Sequence, residues 1–227
     1  MNDEKLLLMS LRGMLLQFAV MAVALFAPAR TFGYWQAWVY LAAFFLPKLV
    51  ILVFLYAHDR NALRARMKAG AGAESRRAQK IILRAGGILF IGMYLVCAFD
   101  YRHGWSQVPA AVSWISVSIV MARVFFTGWI FRENAWVSAT IEVQERQKIV
   151  TTGPYAIVRH PLYLGASVML LLTPPALGSW LGMAVAAALV FVLALRLLDE
   201  EKYLKASLDG YEEYCRKVRY RLVPYIW

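Results

Sequence analysis

Residues 144 to 165 read QERQKIVTTGPYAIVRHPLYLG, and they lead into an apolar hairpin that ends in RLLDEE at 196 to 201. The two stretches place a histidine, tyrosines, arginines and glutamates at one end of a hairpin whose other residues are almost all apolar. Ionisable groups inside a membrane are costly, and they usually serve a function. The pattern predicts a functional site at the end of a membrane hairpin.

The composition of the whole chain agrees with a membrane protein. Of its 227 residues, 61% are hydrophobic and only 17% are charged, and the mean hydropathy is +0.53. Because a transmembrane helix needs about 20 mostly apolar residues, the long apolar blocks predict helical spans. The predicted spans lie near 11 to 27, 34 to 57, 84 to 100 and 108 to 131, and the hairpin limbs near 161 to 173 and 177 to 198. The predicted fold is an all-α polytopic membrane bundle of five to six transmembrane segments.

The hairpin limbs are expected to be separated by Pro174-Pro175, since each proline lacks a backbone donor. The first limb is short, because about 13 residues rise only about 20 Å, less than the ~30 Å hydrocarbon core. If the far end of this limb reaches the far surface, His160 lies below the near one. The reactive residues are therefore predicted to lie partly inside the membrane.

The distribution of positive charge among the loops predicts how the chain is oriented in the membrane. The loop from 58 to 84 is rich in Arg and Lys and has only Asp59 and Glu74 as acids, whereas the short connections on the other side carry few charges. Positive loops face the cytoplasm, so this loop, both termini and the site are predicted to be cytoplasmic, at the inner membrane if the chain is bacterial. The net charge of +11 suits an anionic leaflet, and no nucleic-acid-binding pattern accompanies it.

The tail that begins at Asp199 has as many basic as acidic residues. Apolar residues recur in it at three- and four-residue intervals up to Val218, which predicts an amphipathic helix that Gly210 weakens. We interpret this tail as a cytoplasmic helical lid. His58, His103 and His160 are far apart in the predicted topology, so no metal site is expected.

Local explanations of the polar residues are also possible. Gly153-Pro154-Tyr155 is a turn signal, Arg159-His160 could be an interfacial charge pair, and Arg196 and Glu200 could form a weak helical ion pair. Taken together they favour function, because a helix start at Pro161 also offers free N–H groups to an anionic ligand such as a cofactor carboxylate. Arg123 is a second intramembrane cation, which could bridge helices, snorkel or point into the site.

The motifs TTGPYAIVRHPLYLG, RLLDEE and GYEEYCRKVRYRLVPYIW resemble the isoprenylcysteine carboxyl methyltransferases, which belong with the phospholipid methyltransferases. The resemblance covers about residues 132 to 227, and the first half looks like bacterial members of the family. The chain length predicts one domain over 1–227 and the apolar runs predict four helices in 1–131, while the resemblance implies a cofactor-binding catalytic part in 132–227. The resemblance also implies S-adenosyl-L-methionine as the cofactor, bound by Gln147, Lys148, Ile149, Val150, Tyr155, His160, Pro161, Leu162, Tyr163, Glu200 and Glu201. A further cofactor contact is expected upstream, at Thr140 or Gln144.

The resemblance makes Arg196 the substrate-contacting arginine. A carboxylate acceptor is ionised at pH 7 and needs a cation to hold it, a role that Arg196 fits with Arg159 in reserve. The expected reaction is O-methylation of an isoprenylcysteine-like or other lipophilic acid, with membrane lipids as the remaining partners and neither nucleic acid nor metal. The alternatives are N-methylation of a phospholipid, and a membrane protein that is no methyltransferase, such as a lipid reductase or a scaffold.

Overall fold

The computed structural model describes residues 3–60, 63–64, 74, 76–134, 136 and 147–227. Every regular element in these ranges is helical, which confirms the all-α prediction. In chain order the helices are α1 (Asp3–Ala29), α2 (Trp35–His58), α3 (Arg77–His103), α4 (Ala110–Glu133), a short 3-10 helix (Gly153–Ala156), α5 (Pro161–Ala176), α6 (Gly182–Ser207) and α7 (Tyr211–Lys217).

Five of these helices, α1 to α4 and α6, are long and apolar enough to cross a membrane. The chain is therefore an integral, multi-pass membrane protein. Helix α5 is shorter, and its 16 residues rise about 24 Å, less than the ~30 Å hydrocarbon core. The short first limb of the hairpin is thus present, and it brings the N-terminal end of α5 beside the last turns of α6.

The predicted break at Pro174-Pro175 is wrong, because α5 continues through both prolines to Ala176. A proline lacks a donor, but its carbonyl still accepts, and the N–H of Leu177 lies 3.0 Å from the carbonyl oxygens of both Thr173 and Pro174. Helix carbonyls near the C-terminus have no partner within the helix, so prolines there disrupt little beyond their own missing donors. The chain turns instead at Gly178, whose φ is +75°.

The tail also differs from the single amphipathic helix that the sequence predicts. Helix α6 runs on to Ser207, so the acidic residues at 199 to 201 belong to a continuous membrane helix. Gly210 has a φ of +81° and begins the separate helix α7, since glycine adopts this left-handed conformation without strain. Tyr211 and Tyr214 of α7 pack with Ile149 and the end of α6, so α7 covers this end of the bundle as a lid.

Buried polar groups hold the bundle together at its opposite end. The Asp100 side chain, in the last turn of α3, accepts hydrogen bonds from Ser106 Oγ at 2.6 Å and from Ser179 Oγ at 2.5 Å. Asp100 is 1% exposed, so a carboxylate that looks like a loop charge in the sequence is a structural acceptor. It ties the turn between α5 and α6 to α3 and thereby sets how the hairpin packs.

Candidate functional site

A cavity of about 450 Å³ lies among α4, the N-terminal end of α5, the C-terminal half of α6, α7 and the segment 147–150. Its wall combines apolar side chains with arginines, tyrosines and a glutamate. The lining residues are Arg123, Thr127, Phe131, Asn134, Trp136, Gln147, Lys148, Ile149, Val150, Tyr155, Arg159, His160, Pro161, Leu162, Tyr163, Ala166, Leu193, Arg196, Glu200, Leu204, Leu208, Tyr211 and Tyr214.

The structure brings nearly all of the predicted site residues to this cavity. Among those predicted to bind a cofactor, only Glu201 is not part of the wall, and both predicted catalytic arginines are. The segment from Gln147 to Val150 and the 3-10 helix with Tyr155 reach the cavity from one side, and the start of α5 from another. Thr140 and Gln144, the two upstream candidates, lie outside the described residues.

Glu201 forms a buried ionic cluster just behind the wall. Its carboxylate is 2.7 Å from Arg159 Nε, 3.2 Å from His160 Nε2 and 2.8 Å from Arg221 Nε. The Arg159 Nη1 group also donates to the carbonyl oxygens of Val218 and Arg219, both at 2.8 Å. Burial disfavours the charge of Arg159, but the hydrogen bond and charge of Glu201 outweigh it and raise the pKa of the guanidinium. This cluster, Glu201 with Arg159, His160 and Arg221, is called the tail latch below.

Backbone hydrogen bonds also join the C-terminal segment to Arg159 and His160 of the tail latch. The N–H groups of Arg159 and His160 donate to the carbonyl oxygens of Tyr220 and Arg221 at 2.9 and 3.0 Å. His160 is therefore held immediately before Pro161, the first residue of α5, where a proline is well tolerated. The C-terminal segment thus fixes the start of α5, from which the cavity receives His160, Leu162 and Tyr163.

A second polar chain runs along the cavity wall. The Tyr163 hydroxyl donates to Glu200 Oε2 at 2.5 Å and accepts from Arg196 Nε at 3.1 Å. Arg196 Nη2 is 3.0 Å from an oxygen of Glu74, whose side chain is fully buried. Glu74 is a site residue that the sequence did not indicate, because it lies in a loop and its partner is 122 positions away.

Two tyrosines of α7 were also missed as site residues. The Tyr214 hydroxyl donates to the carbonyl of Tyr155 at 2.8 Å, and both Tyr211 and Tyr214 face the cavity. Burial raises the pKa of both phenols, so they stay neutral. The apolar spacing of this tail predicted the lid, but the predicted site residues did not include the tyrosines with which the lid faces the cavity.

Arg123 of α4, whose role the sequence left open, lies in the cavity wall. Its Nε is buried and has no hydrogen-bond partner, and its Nη1 is 3.8 Å from Met169 Sδ. Within the described residues no group of three or more His, Cys, Asp or Glu side chains could hold a metal ion.

The part of the chain that lines the cavity is similar to known proteins. Residues 110–209, which include α4, α5 and α6, match the family model of the phospholipid methyltransferases. The chain is also 31% identical over 98 residues to the Delta(14)-sterol reductase of Mus musculus, an alignment that covers 39% of this chain and 22% of that relative. The chain thus spans a small part of the relative's length, whereas the family match contains most of the cavity lining.

Proposed function

We propose that this protein transfers a methyl group from S-adenosyl-L-methionine to the carboxylate of a lipophilic acceptor within the membrane. The observation that supports this most strongly is one cavity whose wall includes all the residues predicted from the methyltransferase motifs except Glu201, within a stretch that matches a methyltransferase family. We propose as well that the site faces the cytoplasm.

The donors in the cavity suit the chemistry of this cofactor. The first N–H groups of α5, at Leu162 and Tyr163, have no partner within the helix and would hold the cofactor carboxylate with His160. The Glu200 carboxylate would bind the amino group, and apolar residues such as Ile149 and Leu208 would enclose the adenine. When bound, the cofactor supplies an electrophilic methyl carbon on a sulfonium sulfur.

Methyl transfer requires the protein to position the two reactants and to exclude water, and little else. Because methyl transfer to a carboxylate releases no proton, the residues of the cavity would only have to hold the acceptor carboxylate behind the methyl group that the bound cofactor would supply. Holding the two reactants in this geometry can contribute about 7 to 11 kcal/mol to catalysis. Tyr155, Tyr211 and Tyr214 would exclude water at the lid side of the cavity.

The tail latch has a supporting role in this proposal. Glu201 is 4% exposed at its side chain and faces Arg159, His160 and Arg221 from behind the wall. The sequence-based assignment of Glu201 to direct cofactor binding stays a prediction, and so does Arg159 as a reserve acceptor-binding residue. Both would act on the ligand mainly by holding His160 and the start of α5.

Each alternative reaction has one observation in its favour. The family description names phospholipid methyltransferases, and Glu200 in the cavity could accept a cationic amine, which favours N-methylation of a phospholipid headgroup. The similarity to a Delta(14)-sterol reductase favours a reductase, although it spans 22% of that protein. Arg159 and Arg196 already face carboxylates, so Arg123 is the cavity arginine that suits an anionic group on the acceptor. An acid supplies this group at its reacting end, whereas a phospholipid supplies it at the phosphate.

Orientation is part of the same proposal. If α5 and α6 together form one re-entrant or complete hairpin, the chain crosses the membrane an even number of times and both ends face one side. The basic segment between α2 and α3 then places this side in the cytoplasm. Cysteine scanning of residues 30 to 33, between α1 and α2, should give labelling only from outside, and labelling from the cytoplasm would contradict it.

The direct test is binding and transfer by the purified, membrane-reconstituted protein. Calorimetry with S-adenosyl-L-methionine should show a dissociation constant on the order of micromolar. Methyl-labelled cofactor should transfer label to a farnesylated thioether acid, with phosphatidylethanolamine as the competing acceptor. Label in the amine lipid alone would establish the N-methylation alternative, and absence of both binding and transfer would overturn the proposal.

A further inference from the structure

Arg123 lies deep within α4. It is 13 positions after the first residue of the helix, Ala110, and 10 before the last, Glu133. At about 1.5 Å per residue it stands about 15 Å from the end of α4 that adjoins the cavity mouth. A guanidinium at such depth is costly and normally faces a partner or a ligand.

The other two arginines of the cavity already have carboxylate partners. Arg159 is paired with Glu201 at 2.7 Å and Arg196 with Glu74 at 3.0 Å. Arg123 forms no ion pair with any carboxylate of the described residues. Its Nε is buried without a hydrogen-bond partner, and the thioether sulfur of Met169 is a weak acceptor. Among the three arginines of the cavity wall, Arg123 is therefore the one without a carboxylate partner in the described residues.

The packing keeps this cation from the lipid. A Cβ atom on Gly165 of α5 would lie 3.3 Å from Arg123 Nε and 3.5 Å from Arg123 Cγ, so the arginine side chain passes over a glycine between the two helices. The half-buried side chain reaches Met169 of α5 and also lines the cavity, so Arg123 bridges α4 and α5 and borders the site at the same time.

The surroundings of Arg123 suit the acceptor better than the cofactor. The side chains placed against Arg123 are apolar, namely Met169 and, beside Gly165, Phe126. The nearest polar wall residue on α4, Thr127, already uses its hydroxyl to donate to the Arg123 carbonyl oxygen at 3.1 Å. An apolar wall with one unmatched cation favours a ligand that has a hydrocarbon chain and one anionic group. The cofactor residues named above do not include this end of the cavity.

We infer that Arg123 binds the carboxylate of the lipophilic acceptor, with Arg196 instead holding Tyr163 and Glu200 in place. This inference rests on the proposed function and deepens it by assigning the acceptor's anionic group to a particular residue. A carboxylate in the cavity would accept its hydrogen bonds from the Nη groups of the guanidinium, because Nε is buried against Gly165.

The test compares the affinities of a farnesylated thioether acid and of its uncharged primary amide, measured by displacement of a fluorescent lipid probe from the intact reconstituted protein. Wild type should prefer the acid by about 10- to 100-fold, the effect of a charge-assisted bond pair. The Arg123→Gln variant should bind both equally, and Arg123→Lys should keep part of the preference. The amide affinity and the cofactor affinity should be unchanged in both variants.

Lys48 provides the matched control. It is another cation within a membrane helix, it bonds to Gln17 at 2.6 Å, and it is not part of the cavity wall. Because Lys48 also repels Arg123, a second control is Arg84, an exposed cation of α3 outside the wall, and both Lys48→Gln and Arg84→Gln should keep a clear preference for the acid. If Arg123→Gln keeps the preference, or if Arg196→Gln alone removes it, the inference is wrong. If Arg123→Gln aggregates, the folded Arg123→Lys variant decides, and an unchanged preference in it refutes the bidentate contact. Absence of methyl transfer by wild type contradicts the proposed function separately, since the preference is a binding measurement.

Discussion

The two ends of the cavity differ in the partners that they give to an arginine. At the tail latch, Arg159 is surrounded by Glu201 and two carbonyl oxygens, and its neighbour His160 is tied to the C-terminal segment. At the apolar end, Arg123 has a buried donor without a partner. A satisfied buried charge holds structure, whereas an unsatisfied one is expected to await a ligand. The comparison separates residues that build the site from residues that bind in it.

The largest effect should come from breaking the tail latch. The change Glu201→Ala leaves Arg159 buried without its carboxylate, and removing one member of a buried pair costs about 3 to 5 kcal/mol. We expect a lower unfolding temperature in detergent, followed by loss of cofactor binding. The control is Glu213→Ala, which removes an exposed carboxylate paired only with Lys217 and should leave the unfolding temperature unchanged. Equal stability of the two variants would show that the latch is not structural.

A smaller effect is expected from Glu200, which lies in the wall rather than behind it. The change Glu200→Gln removes a charge but keeps the shape, so cofactor affinity should fall about 10- to 100-fold while stability changes little. Calorimetry and thermal unfolding on the same preparation measure the two quantities. Unaltered cofactor affinity would remove Glu200 from the proposed cofactor site.

Substitution of Arg196 distinguishes support of the cofactor site from binding of the acceptor. Because its Nε donates to Tyr163, which in turn donates to Glu200, we expect Arg196→Gln to weaken cofactor binding about tenfold. The role predicted from the family resemblance, acceptor binding, would instead leave cofactor affinity intact and weaken only the acceptor. The ratio of the two losses, measured by calorimetry and by probe displacement, distinguishes these roles.

The smallest effect should come from Gly165→Ala, which adds one methyl group 3.3 Å from Arg123 Nε. The arginine has to shift by a few tenths of an ångström, so acceptor affinity should fall about threefold, a fraction of the ~1 to 3 kcal/mol typical of overpacking. In Gly92→Ala the new methyl group meets nothing within 4 Å, so this variant should behave as wild type. Weakened cofactor binding in Gly165→Ala would mean that the shift spreads beyond Arg123.

Much of the site could be predicted from sequence because its residues are close in the chain. The stretch from Gln147 to Tyr163 reaches the cavity through a short irregular segment, one 3-10 turn and the first turn of α5, all local structures. Arg196 and Glu200 lie one helical turn apart, so they come to the cavity together. These local relations needed no knowledge of how the helices pack.

Partners distant in the chain could not be predicted in this way. Glu74 meets Arg196 across 122 positions, and nothing in the sequence around Glu74 marks it as more than a loop acid. Glu201 and Glu200 are adjacent, yet one lies behind the wall and the other in it, because neighbouring residues on a helix point about 100° apart.

The sequence by itself determined the membrane class, the helical spans and the residues that could carry chemistry, because apolar run length and local motifs are properties of neighbouring residues. Only the tertiary structure decided which charges are matched. The pairing of Arg159, the burial of Glu74 and the lone donor of Arg123 all depend on helices that meet from distant parts of the chain. The energy of a charge is set by the groups packed around it, so its role is decided where helices come together.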